Sequence, residues 1–198
     1  MFIDTTKFKK VVKASYDTLG LEVAHFEDGI VQISGIGFIL EIGEEDITNK
    51  CMAALVEYIG QLPKPGTTVK FMNKTKLDTM DVDMPEGHYL LDKFTKGQQA
   101  QDTRLMIQRN STCYSVFQTI DTFEPLLVRR ELQNVVDIGK IDREKDELPP
   151  VTPVKSDNLI IWNNDTMQYA IVETPYRYDG ERDFLRLING KDMCWPFD

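Results

Sequence analysis

Histidine is scarce in this chain, with two copies in 198 residues. Any Ser-His or Cys-His nucleophile would therefore have to be built on His25 or His88. Neither Ser34 nor Ser111 stands in a GxSxG elbow, and His25 falls in a strand-like run, where a local hydrogen bond is its plainer role. Cysteine is nearly as sparse: Cys51, Cys113 and Cys194 are odd in number, far apart and without a CxxC pair. That pattern excludes a disulfide framework and a structural zinc site, and the three read as reduced, buried thiols. A phosphate-cradling loop is missing too. "SGIGFILEIG" offers Gly35 and Gly37, but Leu40 stands where a third glycine belongs and strand residues stand where a helix should open. The glycines read instead as a flexible link between strands. No apolar run approaches the roughly 20 residues that cross a bilayer. The opening "MFIDTTKFKKVVKASYDTLG" has lysines where a signal peptide has its apolar centre, so a cytosolic protein without membrane contact is expected. Positive charge is in deficit as well. A net charge of −9 disfavours wholesale wrapping of nucleic acid, though not a local basic face or a basic partner.

What is present is ordinary globular material. A hydrophobic share of 41% beside 28% charged residues supports one substantial core. The patterning predicts an α+β fold with an N-terminal unit over 1–73, an irregular insertion over 74–110 and a C-terminal α+β part over 111–198. In the first unit Thr5 or Thr6 caps a helix whose stripe is Phe8, Val11, Val12, Ser15 and Leu19, with Gly20 ending it. "LEVAHF", the turn "EDG", "IVQIS" and "FILEIG" follow as a three-strand meander with Phe38, Leu40 and Ile42 on one face. A second helix from Ile47 to Ile59 buries Ile47, Cys51, Ala54, Leu55 and Tyr58, and "TTVKFM" returns as a strand. Further on, "STCYSVFQTI" reads as a strand. "FEPLLVRRELQNVVD" reads as a helix with Val128, Leu132 and Val135 inward. The stretch 139–157 reads as an extended connector, "NLIIWN" and "MQYAIVE" as a hairpin, and 179–188 as a short terminal helix capped by Asp179 with Phe184, Leu185 and Ile188 inward.

Three groups of side chains carry the candidate chemistry. Asp78, Asp81, Asp83, Glu86 and His88 crowd a turn-rich span and are the ligand types of a magnesium or manganese site, although the DxDxDG core of a calcium loop is absent. They define the one cofactor reading, a divalent metal, and with it a metal-dependent hydrolase. On the first helix Lys9, Lys10 and Lys13 lie opposite the apolar stripe as a cationic face for DNA. At the other end "YRYDGERDFLRL" sets Tyr176 and Tyr178 beside Arg182 and Arg186, residue types that dominate the energetic centres of interfaces. The plainer reading of that stretch has Arg177, Arg182 and Arg186 paired with Asp179, Glu181 and Asp183.

The order helix, strand, "EDG" turn, strand, strand, helix, strand, complete by Met72 and with lysines outside the first helix, resembles one repeat of a DNA sliding clamp. The resemblance covers about the first third of the chain. It implies helices turned toward DNA on an otherwise acidic ring, assembled by self-association. The residues themselves favour a non-enzymatic binding protein, an acidic inhibitor or accessory factor that covers the basic surface of a nucleic-acid-handling protein.

Overall fold

Asp4, one residue ahead of the threonines expected to do so, caps the first helix: its Oδ1 accepts from the N–H groups of Thr6 at 2.8 Å and Lys7 at 3.1 Å. An aspartate suits the position because its carboxylate meets both the orphan donors and the positive end of the helix dipole. Replacing it with alanine should cost about 1 kcal/mol, seen as a lower urea midpoint at unchanged slope. An unmoved midpoint would mean that the cap contributes nothing.

A computed structural model of the chain describes residues 1–18, 20–82, 87–137, 139 and 150–194. In chain order its elements are α1 (Thr5–Asp17), β1 (Leu21–His25), β2 (Ile30–Gly35), β3 (Phe38–Gly43), α2 (Asn49–Ile59), β4 (Thr67–Met72), β5 (Thr75–Asp81), α3 (Tyr89–Thr95), β6 (Gln98–Arg109), β7 (Thr112–Thr119), β8 (Pro125–Arg129), α4 (Arg130–Gln133), β9 (Val154–Ser156), β10 (Leu159–Asn163), β11 (Met167–Val172) and α5 (Asp179–Ile188). The fold is α+β. The strands form one antiparallel sheet in the order β5-β4-β1-β2-β3-β11-β10-β9-β6-β7-β8. Among the described residues no helix is long and apolar enough to cross a membrane.

Strand alternation divides the side chains between two faces. On one face Phe38, Leu40 and Ile42 of β3 join Trp162 of β10, Tyr169 of β11 and Phe117 of β7 in the main core, which α1, α2 and α4 cover with Phe8, Val12, Cys51, Leu55 and Leu132. On the other face α3 buries Leu90 against Ile161 and Ala170, and α5 buries Leu185 and Ile188 against Tyr114, Val116 and Leu127. The sheet thus has a three-helix side and a two-helix side. Its β8 edge accepts a hydrogen bond from Thr174 N–H, just past β11, at the Leu127 carbonyl, at 2.7 Å.

Several expectations need correction. Residues 74–110 are not an irregular insertion. They supply β5, α3 and the twelve-residue β6. "FEPLLVRRELQNVVD" is mostly not helix: Pro125–Arg129 is a strand with Leu126 and Val128 on the main-core face and Leu127 on the other, and only Arg130–Gln133 is helical. The second helix starts at Asn49, capped by Thr48, rather than at Ile47. Within the expected connector, Val154–Ser156 is a strand between β10 and β6, while 138 and 140–149 lie outside the described residues, as does Leu19. Gly35 and Gly37 are no flexible link. Gly37 takes φ +80° in a tight turn, and a Cβ at Gly35 would fall 2.3 Å from the Ser15 hydroxyl. Of the cysteines, which are all free, only Cys51 is fully buried.

Candidate functional site

The three-helix side concentrates positive charge. α1 carries Lys7, Lys9, Lys10 and Lys13, α2 carries Lys50 and α4 carries Arg130, against Asp17, Glu57 and Glu131. Six cations against three carboxylates leave this helix layer at +3 in a chain of net charge −9. On the opposite side α3 is balanced, with Asp92 and Lys93, and α5 stands at −1, with two arginines against three carboxylates.

The three lysines singled out from sequence do not act alike. Lys9 pairs with Glu57 on α2 at 2.5 Å and Lys13 pairs with Asp17, so both are partly neutralised at home. Lys10 lines a cleft of about 310 Å³ between α1 and the β8–α4 junction, together with Lys7, Arg129, Glu131 and Asn134, in which Lys7 pairs with Asp4 at 3.8 Å and Arg129 pairs with Glu131. A second cleft of about 170 Å³ adds Arg104, Arg130 and Asp102, and Asn134 lines both. Cations from two halves of the chain are thereby set along one track. Sequence reasoning missed Lys7, Arg104, Arg129 and Arg130. Lys7 was within reach, being three residues before Lys10 on the same helical flank, whereas the arginines come from a segment misread as continuous helix and from an interrupted strand.

The stretch from Tyr176 to Arg186 folds as a helix over the expected bounds, Asp179–Ile188, with Tyr176 and Tyr178 half exposed and Arg186 exposed. Arg182 pairs with Asp179 at 3.4 Å and its guanidinium lies 5.8 Å from the Tyr176 ring. Arg186 reaches Asp183 only at 4.0 Å. Two details differ from expectation. Asp179 is the first helical residue rather than the cap. Glu181 turns inward to Arg109, whose Nε and Nη2 donate to its two carboxylate oxygens at 2.7 and 2.6 Å. Hydrogen bonding to Arg109 holds the Glu181 carboxyl down at about 2.

Of the five expected metal ligands, Asp78, Asp81 and His88 are described. Asp78 and Asp81 sit three residues apart on the exposed edge strand β5, so alternation sends them to opposite faces. His88 lies 3.4 Å from Asp28, and Asp83 and Glu86 are outside the described residues. A different acidic grouping, Asp28, Glu44, Glu45, Asp46 and Asp165, rims a cavity of about 450 Å³ where turns meet at one end of the sheet. Among the described residues no three His, Cys, Asp or Glu side chains come together as a metal site. Beside that rim, His25 is buried. Its Nδ1 must be the donor to the Pro63 carbonyl at 3.0 Å, since a carbonyl only accepts, and Nε2 lies 3.5 Å from Glu44.

No family model matches the chain and no curated protein matches it. Among solved structures it is similar to the β chain of DNA polymerase III from Streptococcus pneumoniae (TM-score 0.33, 10% identity), the β subunit of DNA polymerase from Streptococcus pyogenes (0.34, 13%) and a DnaN sliding clamp from Pseudomonas aeruginosa bound to griselimycin (0.32, 13%). Each match covers 91% of this chain and 66% of the other, so the chain spans just under two thirds of their length.

Proposed function

We propose that the protein performs no chemistry of its own and acts as a clamp-like accessory factor that lies along duplex DNA through its three-helix side. The observation that supports this is the partition of charge: the helix layer holds +3 while the whole chain holds −9. Such a molecule is repelled by phosphates over most of its surface and attracted over one side, which orients it on a polyanion. Two clefts that share Asn134 are lined by Lys7, Lys10 and Arg129 beside Glu131 in one and by Arg104 and Arg130 beside Asp102 in the other, and the cations are phosphate-binding groups without a base-reading element beside them. Binding of this kind is independent of sequence and steeply dependent on salt. A single copy contributes few contacts, so further copies would strengthen the grip by adding helix layers.

Fluorescence anisotropy with two unrelated duplexes tests the reading. Affinity should be the same for both and fall steeply between about 50 and 200 mM salt. Lys10→Glu with Arg129→Glu should weaken binding at least about tenfold and lower the log–log salt slope by about two units, with the melting temperature unchanged. Binding by the double variant equal to the parent's would move DNA off this face. No binding by the parent at low salt would remove direct DNA contact altogether.

A further inference from the structure

Arg129 ends β8 and Glu131 stands in the first turn of α4, and both side chains line the cleft beside α1. There they pair with each other. The three cations of that cleft are engaged to different degrees. Lys10 has no ion-pair partner among the described residues, Lys7 reaches Asp4 only at 3.8 Å while the other oxygen of Asp4 caps α1, and Arg129 is held by a carboxylate of its own cleft. That carboxylate has nothing else to hold. Glu131 makes no other hydrogen bond or ion pair among the described residues, and the pair is open to water, with the Arg129 side chain 33% exposed and that of Glu131 55%. An exposed pair of this kind is weak and easily exchanged. The acid of the second cleft is different: Asp102 accepts from Arg104 N–H at 2.8 Å on one oxygen and from Gln133 Nε2 at 2.7 Å on the other, so it is fixed in place.

We propose that Glu131 is an internal competitor for the Arg129 guanidinium, which it yields to a DNA phosphate and takes back when the phosphate leaves, so that each stay on DNA is short. The inference rests on the DNA reading above and adds its regulation. A guanidinium presents one planar fork that matches carboxylate and phosphate alike, and the two acceptors therefore use the same donors in turn. Glu131 stabilises the free protein relative to the bound one. Because it also receives the guanidinium as the phosphate departs, the lost affinity falls on dissociation, where most differences between related complexes lie. A factor that travels along duplex by sliding and hopping depends on phosphate contacts that break readily. Glu131 supplies that readiness at Arg129, while Lys10 keeps a standing attraction.

Stopped-flow fluorescence with a labelled duplex at about 50 mM salt reads both rates. Glu131→Gln and Glu131→Ala should each bind about fivefold tighter than the parent, through slower dissociation, with association changed less than about twofold. The alanine variant matters because its side chain cannot itself donate to a phosphate. In an Arg129→Gln background either substitution should gain less than about twofold, since the guanidinium competed for is gone. Asp183→Asn on α5, which removes an equal charge from the opposite side of the sheet, should also gain less than about twofold. Affinities of both Glu131 variants equal to the parent's overturn the proposal and leave the DNA reading in place. A gain as large in the Arg129→Gln background, or with Asp183→Asn, overturns it too, because Glu131 would then be one repelling charge among many. A parent that binds no DNA at low salt removes the DNA reading, and this inference falls with it.

Discussion

Arg109→Leu is expected to lower the unfolding free energy by about 3–5 kcal/mol, the cost of breaking a buried ion pair from one side, and the melting temperature by about 10 °C. Arg109 ends β6 and its guanidinium grips both oxygens of Glu181 on α5, with a further hydrogen bond to the Pro175 carbonyl at 3.3 Å. Both side chains are 8% exposed. The guanidinium also lies 4.7 Å from the Tyr114 ring and 5.7 Å from the Tyr178 ring. Removing it leaves a buried carboxylate whose remaining described donors are backbone N–H groups, that of Arg177 at 3.0 Å and that of Tyr178. Removing both charges, as R109L/E181L, should recover most of the loss, because an apolar pair of similar size carries no desolvation cost. Arg109→Lys should fall between, since an ammonium cannot span both oxygens. Acid gives an orthogonal check: a carboxyl held at about 2 adds stability that is complete above its ordinary 4.5 and disappears as pH falls toward 2. A loss below about 1 kcal/mol for Arg109→Leu, measured by urea unfolding, would show that α5 is held by Leu185 and Ile188 alone.

That ion pair marks the limit of what the sequence displays. Its partners stand 72 positions apart, and nothing local distinguishes Arg109 from a surface arginine or Glu181 from its acidic neighbours. Elements whose burial follows their own periodicity were legible: α1, the β1–β3 meander, α2, β4 and α5 declare one apolar face, and the β10–β11 hairpin, apolar on both faces, is marked by the "NDT" turn between two short apolar runs. β5 has no buried residue, so alternation has nothing to report and the strand exists through pairing with β4 alone. In β6 the alternation is broken by Arg104 at φ +62° and a register shift between Asp102 and Met106. In β8 apolar side chains line both faces, and a continuous run of that kind does not separate strand from helix. The same reasoning applies to the cationic track. Lysines on one helix are visible as a stripe, but their meeting with Arg129 and Arg130 depends on α1 packing against α4 across more than a hundred residues of chain.

Glu41→Gln should stabilise the protein increasingly as pH rises, from almost nothing near pH 4.5 to about 3 kcal/mol above pH 8. Glu41 stands on β3 among strands of the two-helix side and is fully buried. One oxygen accepts from Gln32 Nε2 at 2.7 Å and the other from Leu90 N–H at 2.8 Å, which ties the start of α3 to the sheet. Two neutral-donor bonds do not replace lost hydration of a full charge. Burial pushes the carboxyl up from 4.5 to about 7, against the pull of those bonds and of His88 and with a push from Asp28. A folded-state value above the unfolded one means that the protonated form is the better fit to the fold. Stability from this group is therefore complete below 4.5 and lost as pH climbs through about 7. The interval corresponds to about 3 kcal/mol at 1.36 kcal/mol per pH unit. Glutamine keeps an acceptor for Leu90 N–H and, once the Gln32 amide turns over, a donor for its oxygen, so the variant carries the contacts without the titration. Urea midpoints of parent and variant at pH 5, 6, 7 and 8 read the difference directly. A constant offset across that range would place the charge of Glu41 in contact with water, and the tether on α3 would then be an ordinary hydrogen bond with no pH dependence.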